Sequence, residues 1–500
     1  MIKKQYLILF FSFLLLNSCD TDGLELSNGN AISTGSFPVN RAELESAMNG
    51  TYSPLQSQGL YGRYLTYMLD YMAGDEVFVG PTRGTPDLRD FLEFTFTAAN
   101  NDIYLYWKNA YNGISRSNFI LDKTDKINSL PNAEVSQADK DNFIGQAKFL
   151  RAFYYFLLVE RFGDIPLYTT TNVDASGLGK SSKTDVYALI ISDLQDASVK
   201  LKNKGAAEIG RATSGAADAL LGKVYLYQQD YANAKISFTK VITSGQYSLT
   251  ADYYDNFSNV NENNSESVFE VQFAYSGGGA WAYVDWGGQD NGDSETSFKS
   301  IEYGGLGGFH NNDPSHSLVN EYEVGDSRKD DSFYFTGDAW SGGVVGAINP
   351  AAAPAYWRKY QKAFNQGNDG GGLSDINHRV IRYADVLLMA AEAENATGGQ
   401  ATAIGYLNQV RDRVSMANYG SVAMNATYPV TTQAEVFTAI VHERRVELSG
   451  EQSRFTDLLR WGMSNTIAGF VAGKHELFPI PQKEFDTNTN LSISDQNPGY

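Results

Sequence analysis

The residue types that usually carry enzyme chemistry do not form a complete catalytic motif in this chain. The five histidines show no metal-ligand spacing, and no Walker-type loop is present. His442-Glu443 begins like a zincin helix, but Val446 stands where the second histidine belongs. A glycosidase needs two carboxylates about 5 to 10 Å apart, and the 58 Asp and Glu residues offer many pairs without a diagnostic motif. The sequence therefore favours a protein that is not an enzyme and uses no cofactor or metal, with a glycosidase as the alternative.

Cys19 is the residue whose surroundings define a specific modification. Lys3-Lys4 followed by the apolar run 6–16 has the order of a signal peptide, and the run is shorter than the roughly 20 residues that span a membrane. Leu16-Asn17-Ser18-Cys19 then resembles a bacterial lipobox, in which the cysteine is lipidated and becomes the first residue of the mature protein. We predict a signal peptide over residues 1–18 and a flexible tether over 19–40. The acidic residues Asp20 and Asp22 directly after Cys19 resemble a surface-export signal of some Gram-negative groups and favour an outward-facing anchor.

The charge of the chain excludes some partners. The formal net charge is −19, so the protein repels nucleic acid and anionic lipid headgroups. Neutral and cationic ligands remain open. With one cysteine in the chain, an intrachain disulfide and a cysteine-based zinc site are excluded.

Candidate ligand-binding residues concentrate in residues 276–372, where glycine becomes dense and helical periodicity disappears. A flat aromatic ring offers an apolar face that matches the C–H face of a sugar ring, and binding residues often lie on loops held by a rigid scaffold. The alternative is that these rings anchor a loop-rich subdomain to the helices, with Trp357 as the first candidate. A second loop-like stretch, 70–93, adds polar and aromatic candidates. The predicted ligand-binding residues are Trp281, Tyr283, Trp286, Tyr303, Phe309, Trp340, Asp75, Phe78 and Arg83.

Paired helices are expected to position these loops. Residues 218–241 place Leu221-Gly222, Tyr225, Ala234 and Phe238 at the spacing of a tetratricopeptide repeat. One such pair cannot bury its apolar face alone, so further pairs should stack on it. We predict one domain over residues 41–500, with a helical scaffold over 41–275 and 373–500 and an irregular insert between them. Apart from the repeat itself, the expected helices cover residues 41–53, 102–123, 143–162, 184–201, 380–395, 402–414, 433–449 and 453–461, and a strand covers 267–275.

Dense charges in the last helices favour an ion-pair network over a catalytic site. Glu443-Arg444-Arg445, Glu447, Arg454 and Asp457 stand among apolar residues, so we expect them to pair with one another. Trp107 and Trp461 lie on apolar helix faces and are predicted to be structural.

Several stretches together resemble one protein family. The motifs are RAFYY at 151–155 with RFGDIPL at 161–167, RYADVLL at 382–388 with AEA at 391–393, ERRVEL at 443–448 with RFTDLLRW at 454–461, FPIP at 478–481 and QNPGY at 496–500. In this order they resemble the SusD/RagB family of surface nutrient-binding lipoproteins, and the resemblance covers essentially the whole mature chain.

The resemblance implies a fold, a ligand class and a partner. It implies a mainly α-helical protein, an α-solenoid of about four tetratricopeptide-like helix pairs. It also implies capture of a glycan outside the outer membrane and delivery to a SusC-like TonB-dependent transporter, over which the lipoprotein sits as a hinged lid. A RagB-like peptide-binding protein is the alternative. The shared motifs belong to the scaffold, so no ligand-contacting residue is carried over from the family.

Overall fold

Helices form most of the structure, a computed structural model that describes residues 37–81, 83–274, 296–303, 306–340, 343–349, 353–360 and 374–500. The predicted residues Cys19, Trp281, Tyr283 and Trp286 lie outside these ranges. In chain order the helices are α1 (Arg41–Tyr52), α2 (Tyr64–Ala73), α3 (Pro86–Glu93), α4 (Asn101–Leu121), α5 (Thr124–Ser129), α6 (Gln137–Phe162), α7 (Lys183–Lys200), α8 (Ser214–Tyr227), α9 (Tyr231–Thr243), α10 (Lys299–Tyr303), α11 (His316–Glu321), α12 (Ser327–Ser332), α13 (Tyr383–Ala396), α14 (Gln400–Arg413), α15 (Val422–Asn425), α16 (Gln433–Glu447), α17 (Arg454–Arg460) and α18 (Gln482–Thr487).

The strands are short and pair two by two. They are β1 (Val77–Phe78), β2 (Ile165–Pro166), β3 (Lys180–Ser181), β4 (Ser267–Val271), β5 (Asp313–Pro314), β6 (Phe333–Tyr334), β7 (Ala339–Trp340), β8 (Gly343–Val344), β9 (Tyr356–Trp357) and β10 (His378–Arg382). The antiparallel pairs are β1–β5, β2–β3, β4–β10, β6–β9 and β7–β8. The mainly helical fold class expected from the sequence is confirmed.

Capping side chains define where the long helices begin. The Ser136 side chain accepts a hydrogen bond from the backbone N–H of Asp139 at the start of α6, and Ser182 caps α7 in the same way. α6 ends at Gly163, whose φ of 70° is a conformation that favours glycine. The predicted helices 143–162 and 184–201 are therefore confirmed, although the Ser136 cap starts the first one earlier, at Gln137.

The repeat-like spacing of residues 218–241 corresponds to α8 and α9, which pack against each other. A Cβ atom on residue 222 would lie 2.5 Å from the Phe238 ring, so the two helices approach this closely because residue 222 is glycine. α9 also packs against α13, and α13 against α14, which confirms the predicted second pair. The count of four repeat pairs stays a prediction.

Two secondary-structure predictions are wrong for identifiable reasons. The interval 70–93, predicted as a loop, contains the end of α2 and all of α3. Every residue of α2 is buried, so no polar face reveals a helical period, and Pro86 occupies the first turn of α3 after the capping residue Thr85. Residues 380–382, predicted as the start of a helix, instead complete β10.

The pairing of β4 with β10 brings the two ends of the predicted insert together. His378 lies opposite Val271, and Arg382 lies opposite Ser267. Because the strands are antiparallel, the chain that leaves the scaffold after β4 returns beside its point of departure. The insert is therefore held at its base by backbone hydrogen bonds.

The insert has its own apolar core and is not wholly irregular. It contains the short helices α10, α11 and α12, which the sequence analysis did not predict. Trp357 is fully buried there and contacts the rings of Tyr303 and Phe333. Tyr253 and Val446 of the scaffold belong to the same cluster, so the prediction that Trp357 anchors the insert to the helices is confirmed.

A buried ion-pair network, centred on Glu447, ties the insert to the scaffold. Its carboxylate accepts from Arg328 of α12 at 2.9 Å, from Arg413 of α14 at 2.6 Å, and from Arg382 of β10. Burial alone would raise the pKa of Glu447, but Arg413, Arg382 and Arg328 lower it well below its usual range. The predicted ion-pair network is confirmed.

The outer helices continue this network. Arg444 pairs with Asp385 at 2.9 Å and with Asp457 at 2.8 Å. The indole of Trp461 donates to Glu392 at 3.1 Å, in agreement with its predicted structural role. None of the helices in the described ranges is long and apolar enough to cross a membrane.

Truncation of Glu447 should be strongly destabilising. Glu447→Ala removes a carboxylate shared by three buried arginines and leaves an excess of buried positive charge, which costs roughly 3–5 kcal/mol of unfolding free energy. The control is Glu45→Ala, which removes a half-exposed ion pair with Arg41 and should cost at most about 1 kcal/mol. Urea denaturation measures both, and equal losses for the two variants would contradict the role given to Glu447.

His442 should make stability fall at alkaline pH. Burial alone would lower its pKa, but hydrogen bonds with Glu321 at 2.7 Å and Glu323 at 3.2 Å overcome this and raise the pKa to about 9. Because the ordinary value is 6.5, the stabilisation is complete below pH 6.5 and is lost as the pH rises through about 9.

The measurement is the difference in unfolding free energy between the parent and His442→Gln, taken from about pH 5 to about pH 10. Glutamine keeps a hydrogen-bonding group but carries no charge, so the difference should shrink across the alkaline part of this range. A difference that stays constant with pH would show that the protonated imidazole does not contribute.

Candidate ligand-binding site

Three of the predicted ligand residues meet on one face of the molecule. Arg83 is exposed, and its Nη1 donates to the backbone carbonyl of Phe309 at 3.2 Å. Phe78 lies on β1 directly opposite Asp313 on β5, four residues after Phe309. The rings of Phe78 and Phe309 are half-buried. The β1–β5 pairing and the hydrogen bond from Arg83 to Phe309 thus join segments that are more than two hundred residues apart in sequence.

Two further residues complete this surface, which we call the Arg83 face (Phe78, Arg83, Phe309, His310 and Tyr356). The His310 ring packs edge-on against Tyr356 with 4.9 Å between ring centroids, and its Nδ1 lies 3.3 Å from Asp313. Neither Tyr356 nor His310 is among the ligand-binding residues predicted from the sequence. Their positions depend on the pairing of β1 with β5 and the packing of β5 against β9, which no local pattern reveals.

Asn311 fixes the two loops of the Arg83 face relative to each other. Its side-chain oxygen accepts from the Gly84 backbone N–H at 3.1 Å, and its Nδ2 donates to Glu302 at 2.7 Å. Glu302 is fully buried and pairs with Arg63 at 2.7 Å, while the Tyr71 hydroxyl donates to the carbonyl of Asn311. The surface loops are therefore connected to α2 by a continuous chain of buried polar contacts.

The prediction that Tyr303 faces a ligand is wrong. Its side chain is 1% exposed, and its hydroxyl donates to the carbonyl of Thr66 at 2.6 Å and contacts Asp70. Burial raises the pKa of Asp70 to about 7 despite that hydrogen bond. Tyr303 thus packs α10 onto α2. A tyrosine in a glycine-rich stretch can point inward or outward, and here its polar partners lie in the scaffold.

Asp75 and Trp340 are not brought into the Arg83 face by any contact that the structure shows. Asp75 pairs with Arg454 at 2.9 Å and with Arg445 at 3.2 Å, so its carboxylate belongs to the ion-pair network. Trp340 is half-buried at the end of β7, opposite Gly343. The candidates Trp281, Tyr283 and Trp286 belong to the segment that the structure does not describe.

The electrostatics of the Arg83 face suit a ligand with hydroxyl groups. Burial and the nearby Asp313 raise the pKa of Tyr356, whereas Arg83 opposes the shift. The Tyr356 hydroxyl therefore stays protonated at neutral pH and is both a donor and an acceptor. Within the described ranges, no three His, Cys, Asp or Glu side chains lie close enough to hold a metal ion. The face can present ring surfaces and hydrogen-bonding groups.

Comparison with known proteins identifies the family of this helical protein. A family model described as the SusD family matches residues 225–470, and one described as starch-binding associating with outer membrane matches residues 88–226. The SusD-like protein P2 of Formosa agariphila is 30% identical, and the match covers 99% of this chain and 100% of that protein. The chain belongs to the SusD family, as the sequence motifs indicated.

Solved structures agree with this assignment. A SusD superfamily protein from Bacteroides vulgatus has a TM-score of 0.77 and 28% identity, with 92% of this chain and 99% of that chain covered. A laminarin-binding SusD-like protein has a TM-score of 0.76 and 27% identity. The match covers 92% of this chain and 100% of that chain. The fold of this chain is that of SusD-like proteins.

Loss of the Asn311 side chain should loosen the loop that carries Arg83. Asn311→Ala removes the acceptor of the Gly84 N–H, so hydrogen exchange in residues 83–88 should become faster. His310→Ala, one residue away, is the control, because its ring makes no hydrogen bond to Gly84 in the structure. Hydrogen exchange is measured by mass spectrometry. If the exchange rate of residues 83–88 is the same in Asn311→Ala as in the parent, this side chain does not position the loop.

Proposed function

We propose that the chain is a non-catalytic glycan-binding lipoprotein of the outer cell surface, anchored through Cys19, that delivers its ligand to a SusC-like TonB-dependent transporter. The observation that carries the proposal is the convergence of Phe78, Arg83 and Phe309 with His310 and Tyr356 on one face. The affiliation with the SusD family and the similarity to a laminarin-binding SusD-like protein support a glycan as the ligand class.

Binding would combine ring stacking with hydrogen bonds. The half-buried rings of Phe78 and Phe309 offer apolar faces to the C–H face of a pyranose. Arg83, His310 and the Tyr356 hydroxyl then fix the hydroxyl groups of the sugar. Because Asn311 and Glu302 hold the loops in place before a ligand arrives, little conformational entropy is lost on binding.

The absence of catalysis is part of this proposal. Asp313, the carboxylate that contacts His310 of the Arg83 face, is buried, whereas glycoside hydrolysis uses a pair of carboxylates on either side of the scissile bond. Incubation with a bound polysaccharide should therefore release no reducing ends. If reducing ends are released, and if substitution of a Glu or Asp residue abolishes this release, the non-catalytic assignment is wrong.

The transporter partner is tested separately from the ligand. Co-purification of the full lipidated chain from outer membranes should recover a TonB-dependent transporter, and Cys19→Ala should release the protein from the membrane fraction. Membrane attachment that persists in Cys19→Ala would exclude the proposed anchor.

Substitutions in the Arg83 face should weaken glycan binding. Phe309→Ala removes a stacking surface and Arg83→Ala removes a charged donor, and each should raise Kd at least about tenfold, or 1.4 kcal/mol. Calorimetry against laminarin and a panel of other polysaccharides measures the effect.

Matched controls are Phe335→Ala, a half-buried ring elsewhere in the insert, and Arg41→Ala, a surface arginine on α1. Both controls should bind like the parent. Unchanged binding in Phe309→Ala and Arg83→Ala would show that the Arg83 face is not the site. Binding to peptide pools but to no glycan would instead select the peptide-binding alternative.

A further inference from the structure

A second concave surface lies away from the Arg83 face and shares no residue with it. This groove, between α4, the segment after β2 and α18, has a volume of about 580 Å³, within the range of roughly 300–1,000 Å³ that is typical of small-ligand sites. We call it the Tyr168 groove. Its aromatic lining residues are Tyr104, Trp107, Tyr111 and Tyr168.

The polar ends of these rings already have partners inside the protein. The Tyr111 hydroxyl donates to the Pro166 carbonyl at 2.8 Å, and the Tyr168 hydroxyl accepts from the Leu178 N–H at 3.2 Å. The Trp107 indole N–H donates to Glu484 at 3.0 Å. Each bond restricts the orientation of its ring. Apart from the Tyr168 O–H, which can still donate, these side chains offer a ligand mainly their apolar ring surface.

The rings form a rigid corner. Tyr111 and Tyr168 are nearly perpendicular, with an interplanar angle of 88° and 5.7 Å between centroids. Trp107 lies 4.8 Å from Tyr111 and is 3% exposed, so it forms the floor, whereas Tyr104, Tyr111 and Tyr168 are half-buried at the surface. A flat ligand ring can therefore stack on one of these two tyrosine rings while the other tyrosine ring contacts the edge of the ligand.

The edge of the groove is polar and carries both signs of charge. Thr170, Lys483 and Asp486 lie along it. Lys483 is exposed, and its ammonium lies 4.0 Å above the Tyr104 ring centroid. These groups can donate to and accept from hydroxyl groups at the edge of a ligand whose body is apolar.

We propose that the Tyr168 groove is a second carbohydrate-binding site, which takes a pyranose unit by stacking. A pyranose has the matching chemistry, an apolar C–H face with hydroxyl groups around its edge. A peptide would also need backbone partners, but the carbonyl of Tyr168 already accepts from Tyr155 at 2.8 Å and from Asn118 at 2.8 Å. The proposal goes beyond the Arg83 face and does not depend on it.

A second site changes how the protein holds a polymer. Two modest sites on one chain bind a polysaccharide with an avidity that can exceed either affinity by about 10²–10⁴ when both are engaged. The Tyr168 groove would therefore strengthen the binding of long glycans while leaving the binding of short ones governed by each site alone.

The test uses Trp107 as a reporter inside the groove. The chain has six tryptophans, so the full mature protein labelled with 5-fluorotryptophan gives a short fluorine NMR spectrum in which Trp107→Phe assigns the Trp107 signal. The probes are laminarin oligosaccharides and methyl pyranosides of glucose, galactose, mannose and xylose, each up to about 50 mM, which detects weak sites. At least one sugar should shift the Trp107 signal in a saturable manner.

The variants separate the groove from the Arg83 face. Tyr168→Ala should weaken the saturable shift at least about tenfold, whereas Tyr168→Phe keeps the ring and should bind like the parent. The double variant Arg83→Ala with Phe309→Ala should retain the shift even if it loses polysaccharide binding elsewhere, which keeps the two proposals distinguishable.

Three results would overturn the proposal. The first is a Trp107 signal that no sugar moves, and the second is a sugar-induced shift that is the same in Tyr168→Ala. The third is a shift caused by a peptide pool alone, which would assign the groove to a peptide. Thermal unfolding of each variant confirms that it is folded before the titration.

Discussion

The ion pairs of the buried Glu447 carboxylate are the interactions on which the rest of the structure depends. This carboxylate is fully buried and meets arginines from the insert, from β10 and from α14. Desolvation of each buried arginine is costly, and separating the elements breaks ion pairs whose charges are balanced only together. The insert therefore cannot separate from the helices at moderate cost. The described part of the insert is thus fixed to the scaffold by buried ion pairs as well as by the apolar cluster around Trp357.

That constraint explains how surface loops can present ordered rings. The Arg83 face is connected to α2 through Asn311, Glu302 and Arg63, all of which are buried. The hydrogen bonds that fix the loops lie beneath the surface, so the side chains above them are not needed for folding. Residues such as Phe309 can then differ between proteins that share this scaffold, which separates the choice of ligand from the stability of the fold.

The sequence predicted the parts of the structure that follow from local patterns. The spacing of Gly222 and Phe238 is that of a packed helix pair. The charges around Glu447 are dense among apolar residues, so they were expected to form ion pairs with one another. Local patterns gave wrong predictions where contacts between segments distant in sequence determine the secondary structure or the direction of a side chain. α2 is buried on every side and therefore shows no stripe, and β10 is a strand because β4 pairs with it. Composition selected Phe78, Arg83 and Phe309 as ligand-binding residues, which stays a prediction, and it also selected Tyr303, whose hydroxyl turns inward to Thr66 and Asp70. His310 had no sequence signal, because its place depends on β1 meeting β5.

The two candidate surfaces differ in what they leave free for a ligand, and this difference has a consequence for specificity. On the Arg83 face, the exposed guanidinium, an imidazole and a phenol stand beside the rings, so hydroxyl positions on a sugar can be distinguished by hydrogen bonds. In the Tyr168 groove, the Tyr111 O–H and the Trp107 N–H donate within the protein and the Tyr168 hydroxyl accepts from Leu178, so the rings keep few polar groups for a ligand. Stacking on ring faces is tolerant of stereochemistry because most pyranoses have an apolar face. The first surface is therefore suited to selecting a glycan, and the second to holding whichever polymer the first has selected.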